Sequence, residues 1–468
     1  MPPAQALASL WSQVGLPTES LAAVRLTSGD PVLPSSFAIG TAAQTSIAAA
    51  GLAAATIGHR RGGPPQHVSV DMRHAATEFH SEHWLRVNNE PPPEHWDRIA
   101  GTYQCGDGRW VRLHTNFPHH RDGLLKLLGC AYQREAVAAA LRHWTAFELE
   151  DRAAVAGLCV TAMRSFEEWD AHPQGQAVQA EPIVAITRTG DAPPEPLPAA
   201  ARPLGGVRVL DLTRVIAGPV CGRTLAAHGA DVLLITAPHL YNPPTLVIDT
   251  GRGKLSAQLD LRDDAQRTIL RDLLQQADIF VQGYRPGAIG GFGFTPEDTA
   301  RLRPGIVHVS LCTYGHTGPW SGRRGFDSLT QTASGFNAAE AEAAGQPGRP
   351  KPLPVQALDH ASGYLMALGA LAALHRRINE GGSWHVQVSL ARTGHWIRRL
   401  GRVADGFACP VPAREELADL LEDSQSGFGR ISAMRHAAQL SATPARWDRM
   451  AVPPGTHPAR WPAQSDKS

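Results

Sequence analysis

Residues 353–390 read LPVQALDHASGYLMALGALAALHRRINEGGSWHVQVSL, and the fold turns on what they form. The stretch opens with an acid, Asp359, at the head of a segment rich in Ala, Leu and Gly. It closes with His375-Arg376-Arg377 and the pair Gly381-Gly382, then runs into the alternating His385-Val386-Gln387-Val388. A helix this apolar, with few charges before its last turn, is expected to be buried on most of its surface. The glycine pair marks its end, and the β-branched run beyond it reads as a strand. A carboxylate at the mouth of such a helix has two readings. As an N-cap, Asp359 accepts bonds from the first backbone N–H groups and contributes about 1 kcal/mol. As a nucleophile, it uses the same N–H groups and the helix dipole to stay ionised with little water around it. Spacing alone favours the cap.

The pattern occurs a second time. Residues 42–70 read AAQTSIAAAGLAAATIGHRRGGPPQHVSV: an Ala-rich segment, His59-Arg60-Arg61, a Gly pair, then His67-Val68-Ser69-Val70. Counting back from the shared His-Arg-Arg, Ala43 falls where Asp359 stands in the other copy. The chain therefore holds two copies of one helix–turn–strand unit, and only the second carries the acid. Two copies are too few for a solenoid; they imply duplication, or a permuted chain whose join cuts through the unit.

With 468 residues the chain can bury two or three cores. Lys+Arg number 44 against 43 Asp+Glu, a net charge of +1, which implies neither a nucleic-acid nor a membrane-surface partner. Cys105, Cys130, Cys159, Cys221, Cys312 and Cys409 form no C-x-x-C pair, so free thiols in a reducing compartment are expected rather than disulfides or zinc. The N-terminus shows no basic segment followed by an apolar core. The longest small-residue run, 42–58, contains Gln44, Thr45 and Ser46 and falls short of the ~20 apolar residues of a membrane span. A soluble cytoplasmic protein is the expectation.

Residues 1–190 read as a helix-rich α+β region. Short helices are expected over 3–14 and 18–25, an amphipathic helix over 71–85, and two strands flanking a hairpin turn at Asp107-Gly108. Three more helices are expected near 120–129, 133–143 and 145–160. The His-rich run HTNFPHHRD holds His114, Asn116, His119, His120, Arg121 and Asp122, but matches no ligand spacing, so surface caps are expected rather than a metal site. Residues 191–204 lie in a stretch dense in proline and small residues, the composition of a semi-rigid linker.

After the linker the period changes. VRVLDL (207–212), DVLLI (231–235), DIFVQG (278–283) and IVHVSL (306–311) are short apolar runs separated by helical segments at 219–229, 263–277 and 295–302. Such alternation means a parallel sheet covered on both faces, a doubly wound Rossmann-like domain over 205–400, with 401–468 packing back onto it. Ligands of such sheets sit beyond the strands' carboxyl ends. The dinucleotide fingerprint is absent: AGPVCGRTLAAHGA places Gly218 and Gly222 at the wrong spacing with Pro219 in the turn, so NAD or FAD is not expected.

GVRVLDLTRVIAGP, LAAHGADVLLI, GKLSAQLDL, ADIFVQGYRPGAI, YGHTGPW followed by RRGFDSLTQTASG, and LDHASGYLMALGALAALHRR together resemble the family III CoA-transferases, the CaiB/BaiF group. Residues 205–400 resemble that family's large domain. Residues 35–190, through DGRW and RSFEEWDAHPQGQAVQAEP, are similar to its small domain, so the family's usual order is rearranged. The resemblance implies CoA transfer between an acyl-CoA and a free carboxylic acid, CoA and acyl-CoA as substrates with no tightly bound cofactor and no metal, and an interlocked homodimer. It makes Asp359 the acylated aspartate and Lys254 a lysine that helps hold CoA. Arg324, Phe326 and Asp327 fall on the triplet lining the site, and Val215, Ile216 and Ala217 on the loop near the adenosine. Thr236-Ala237-Pro238 and Gly290-Gly291 depart from the charged residues many members carry there, which weakens the expected phosphate contacts.

The residue types suit the chemistry. A carboxylate can attack a thioester to give an anhydride, and the released thiolate then converts this to an enzyme–CoA thioester. Both intermediates must be kept from water. Two alternatives remain. An α-methylacyl-CoA racemase needs a proton-transfer pair, and Phe326 stands where racemase-like members carry a histidine. A CoA-binding protein without turnover would also suit the altered positions.

Overall fold

The computed structural model describes residues 1–94 and 96–462. Before the linker, β1 (Val24–Thr27), helix α1 (Ile39–Arg60) and β2 (Val68–Asp71) form a strand–helix–strand unit in which β1 and β2 run parallel, Val24 opposite Val68. The expected helix over 18–25 is a 3-10 turn that gives way to β1 at Val24. The expected helix over 71–85 breaks around Phe79 and His80 into Met72–Glu78 and α2 (Ser81–Trp84). There follow β3 (Arg86–Val87), the hairpin of β4 (Gly101–Gln104) and β5 (Trp110–Leu113), helix α3 (Pro118–Leu128), β6 (Val160–Ala162) and β7 (Ala185–Gly190). β6 completes a small antiparallel sheet with β5.

After the linker come β8 (Arg208–Leu212), α4 (Ala217–Ala227), β9 (Asp231–Thr236), β10 (Lys254–Gln258), β11 (Ile279–Gln282) and β12 (Val307–Cys312). Helix α5 (Asp327–Ala333), the 24-residue α6 (Ala357–Glu380), β13 (Ser383–Ser389) and α7 (Leu390–Leu400) complete this part. The large sheet has the order β10-β9-β8-β11-β12-β13-β7. All neighbours are parallel except β13 and β7. Strand order reverses between β8 and β11, the switch point at which doubly wound sheets open a crevice.

The remaining strands lie in the tail: β14 (Leu421–Ser426), β15 (Gly429–Met434) and β16 (Gln439–Leu440). They do not pack back onto the large domain alone, as was expected of 401–468. β15 pairs with β3 and β16 with β2, both from before the linker, while the Trp447 indole donates to the Arg223 carbonyl in α4 at 3.0 Å. Residues 463–468 of the tail lie outside the described residues.

The Pro-rich stretch divides the sequence but not the space. β7 precedes it and yet forms the edge of the sheet that follows it. One apolar core gathers Trp11, Ala43 and Ala50 with Val209, Tyr364 and Val386. Helices α1 and α6 pack side by side, and at their shared end Arg60 donates to Asn379 Oδ1 at 2.8 Å. Arg61 then grips the linker through the Pro198, Pro203 and Gly205 carbonyls at 2.7–2.8 Å. On the other side the Gly382 amide donates to Ala192 O at 2.8 Å. At Gly381 a Cβ would come within 2.1 Å of the same carbonyl, so the glycine there is a close-approach residue. Among the described helices only α6 is long and apolar enough to cross a membrane, and its apolar stretch is buried throughout while its last turn reaches the surface.

Candidate active site

A cavity of 340 Å³ opens beyond the carboxyl ends of β8 and β11. The loop after β8, Thr213 to Ile216, forms one wall. Val215 there holds φ at +72°, a left-handed conformation costing a β-branched residue about 1–3 kcal/mol, so the loop must be held in place. It is held from below. The Thr213 hydroxyl donates to Asp211 Oδ1 at 2.5 Å, and the Lys254 ammonium donates to Asp211 Oδ2 and to the Pro219 carbonyl, each at 2.8 Å. Gly222 admits this pair, since a Cβ there would lie 2.3 Å from Asp211 Oδ2. Lys254 is 1% exposed and is not in the cavity wall. The expected direct hold on CoA is therefore not what its position offers: its ammonium is committed to the loop's foundation.

Asp359 is in the wall. It is the third residue of α6, and the cap position belongs to Gln356. The first turn is capped from elsewhere: the Asp327 carboxylate accepts the Asp359 amide N–H at 2.9 Å. Asp327 is the first residue of α5, whose own start it does not cap. Thus neither aspartate caps its own helix, and the Asp359 carboxyl is left to face the cavity. Burial, then the charges of Asp327 and Glu82, push its pKa well above the ordinary carboxylate range. Burial likewise raises Asp327 to about 6 against the opposing pull of the Asp359 amide and Gln331. At Gly363, one turn further along α6, a Cβ would stand 2.5 Å from the Ala217 carbonyl, so the start of α4 comes this close to the mouth of α6 only because that residue is glycine.

The facing wall comes from before the linker. Phe117, His119 and His120, at the start of α3, line the cavity opposite Val215, Ile216 and Ala217. Phe326 stacks on the His114 ring at 3.7 Å and 8°, and on Phe117 at 5.5 Å and 15°. Arg324 approaches His120 Nε2 at 3.3 Å and the Gly157 carbonyl at 3.2 Å. Burial, with His119 and the nearby arginines, drives His120 down to about 3, so it faces the cavity as a neutral ring. The His-rich run is thus a site wall and not a set of surface caps. The signal was visible, an aromatic and histidine cluster where a strand enters a helix, but its partner Phe326 lies over 200 residues away. Behind Asp359, the fully buried His360 meets Glu82 of α2 at 3.2 Å. Burial opposes ionisation of Glu82, and the His360 bond and charge outweigh it, bringing Glu82 to about 2.

Of the residues expected at the site, Val215, Ile216, Ala217, Arg324, Phe326 and Asp359 line one cavity, while Asp327 and Lys254 support it from behind. The family model for CoA-transferase family III matches residues 13–195 and 204–400. The chain belongs to CoA-transferase family III. It is 36% identical over 202 residues to the acetyl-coenzyme A transferase nodX of Hypoxylon pulicicidum, covering 42% of this chain and 34% of that one. An acyl-CoA transferase of Gibberella moniliformis is 30% identical over 318 residues, 63% of this chain and 55% of its own. The succinyl-CoA:glutarate CoA-transferase of Mus musculus is 34% identical over 202 residues, 40% and 45%. The chain thus spans about half or less of the length of these relatives.

Proposed function

We propose that this family III member moves CoA between an acyl-CoA and a free carboxylic acid, with Asp359 as the nucleophile. The observation that carries the reading is a buried carboxylate in the first turn of α6, facing a cavity at the sheet's switch point while a second carboxylate takes over its capping duty.

The steps balance without net proton transfer. An Asp359 oxygen attacks the thioester carbonyl, the C–S bond breaks, and the CoA thiolate leaves a mixed anhydride. The thiolate attacks the aspartyl carbonyl, freeing the donor acid and leaving an aspartyl–CoA thioester. The acceptor carboxylate opens that thioester to a new anhydride, and the thiolate's attack on its acyl carbon restores Asp359 and releases the new acyl-CoA. The raised pKa favours this: a carboxylate destabilised by burial and by Asp327 loses its charge on acylation. Arg214, Arg285, Arg323 and Arg324 stand around the cavity and supply the positive charge missing at Thr236-Ala237-Pro238 and Gly290-Gly291. Racemisation is disfavoured, because Phe326 cannot carry a proton.

Intact-mass analysis after mixing with a panel of acyl-CoAs and no acceptor tests the reading. The protein should gain mass, hydroxylamine should convert the adduct to a hydroxamate, and peptide mapping should place it on Asp359. Adducts on another residue, or none with any acyl-CoA, sink it.

A further inference from the structure

Two units of one design face each other inside this chain. β1–α1–β2 and β12–α6–β13 are both parallel strand pairs bracketing a buried helix of 22 or 24 residues. Each helix ends in His-Arg-Arg and a glycine pair, and the family model matches once on either side of the linker. The outer edges of the units are closed reciprocally. β7, which continues the first unit, adds antiparallel to β13 of the second. β16, which continues the second, adds antiparallel to β2 of the first. Each unit is finished by a strand from the other's continuation, the arrangement of an intertwined two-fold pair.

The pair is unequal. In the second unit Asp359 faces a cavity; in the first, Ala43 at the matching position is fully buried. The mouth of α1 is stoppered as well. The Asp30 carboxylate accepts the amides of Gly40 and Thr41 at 3.1 and 3.0 Å and the Thr41 hydroxyl at 2.7 Å, consuming the donors a ligand would use. What the chain continuing the first unit contributes is wall and support for the other site: Phe117 and His120 in the cavity, and Glu82 against His360.

We propose that the segment before the linker is a catalytically silent second subunit carried in the same chain, so that the protein turns over as a monomer with one acylation site. The acylation part rests on the transfer reading above; the subunit part rests on the exchanged strands. A second copy of the chain could not repeat the exchange, because β7 and β16 already occupy the edges of β13 and β2. This replaces the homodimer that the family resemblance implies.

The linker offers the test. Pro198 to Ala201 are exposed, so a protease recognition sequence can be inserted between Ala199 and Ala200. Native mass spectrometry of the uncut protein at micromolar concentration should give a monomer. After cutting, the two fragments should stay together one to one and keep transfer within about twofold. Adduct mapping should find one acyl group per chain. Fragments that separate, an uncut protein that is an obligate dimer, or two adducts per chain each overturn the proposal. Should the insertion block folding, the native mass of the unaltered protein decides. If no acyl-CoA yields an adduct, the transfer reading fails, while the native masses before and after cutting still judge the subunit proposal.

Discussion

At Asp359 the helix cap and the nucleophile were competing readings of one carboxylate, and Asp327 removes the competition by taking the Asp359 amide. That makes Asp359→Asn informative. The amide cannot form an anhydride, so transfer should fall by on the order of 10³-fold or more while CoA binding is kept. The pH dependence follows from the raised pKa. In the proposed transfer the reacting form is the carboxylate, so adduct formation in the wild type should climb with pH through a limb above the ordinary value of about 4. In stability the sign is opposite. A raised carboxyl contributes stability below its unfolded pKa and loses it as pH rises through the folded one. Asp359→Asn should therefore gain on the wild type between pH 5 and pH 8.5 in paired thermal melts; a constant difference would mean that the carboxyl is not strained. Lys254 carries a separate expectation. Lys254→Met strands the buried Asp211 charge, which should cost about 3–5 kcal/mol by denaturant unfolding. Loss of CoA affinity with unchanged stability would return Lys254 to a ligand role.

At the scale of elements, the sequence disclosed what depends on local periodicity. The apolar runs at 207–212, 231–235, 278–283 and 306–311 became β8, β9, β11 and β12, because strands buried on both faces need no polar alternation. β10 and β7 escaped notice for the opposite reason. KLSAQ and AITRTG look like loop by composition, and become strands because β9 and β13 offer them edges. The repeat set Asp359 apart, since the other copy carries Ala43 at the matching position. His120 stood in a visible cluster and Glu82 in an ordinary helix, but nothing local fixed the role of either, because their partners Arg324 and His360 are brought to them by the fold alone. The silent copy gives an element-scale test. Ala43→Asp places an acid in α1 at a fully buried position where Asp30 already fills the mouth, so it should lower stability by several kcal/mol and acquire no acyl group. Labelling at residue 43 would show a usable second pocket.

At the scale of the whole molecule, the linker's composition suggests two bodies while the packing makes one. Independent domains keep their cores apart; here a single core holds Ala43 and Ala50 of α1 with Tyr364 and Leu368 of α6. Phe79, beside α1's unit, stacks on Tyr364 at 5.9 Å and 2°. A buried network runs through all three segments of the chain. Arg223 meets Asp249 at 2.7 Å, Ser81 donates to the same carboxylate at 2.6 Å, and Glu78 meets His436 at 2.9 Å. Opening the segment before or the segment after the linker alone would strand buried charges in the rest of the chain, an expense of several kcal/mol for each broken pair. The two segments should therefore open as one unit. Native-state hydrogen exchange with rising denaturant, read by peptide mass, should show α1 and α6 losing protection over the same range and with the same slope. Exchange of α1 at low denaturant while α6 stays protected would mean that the first segment is a detachable domain, and that its strands only lean on the sheet they complete.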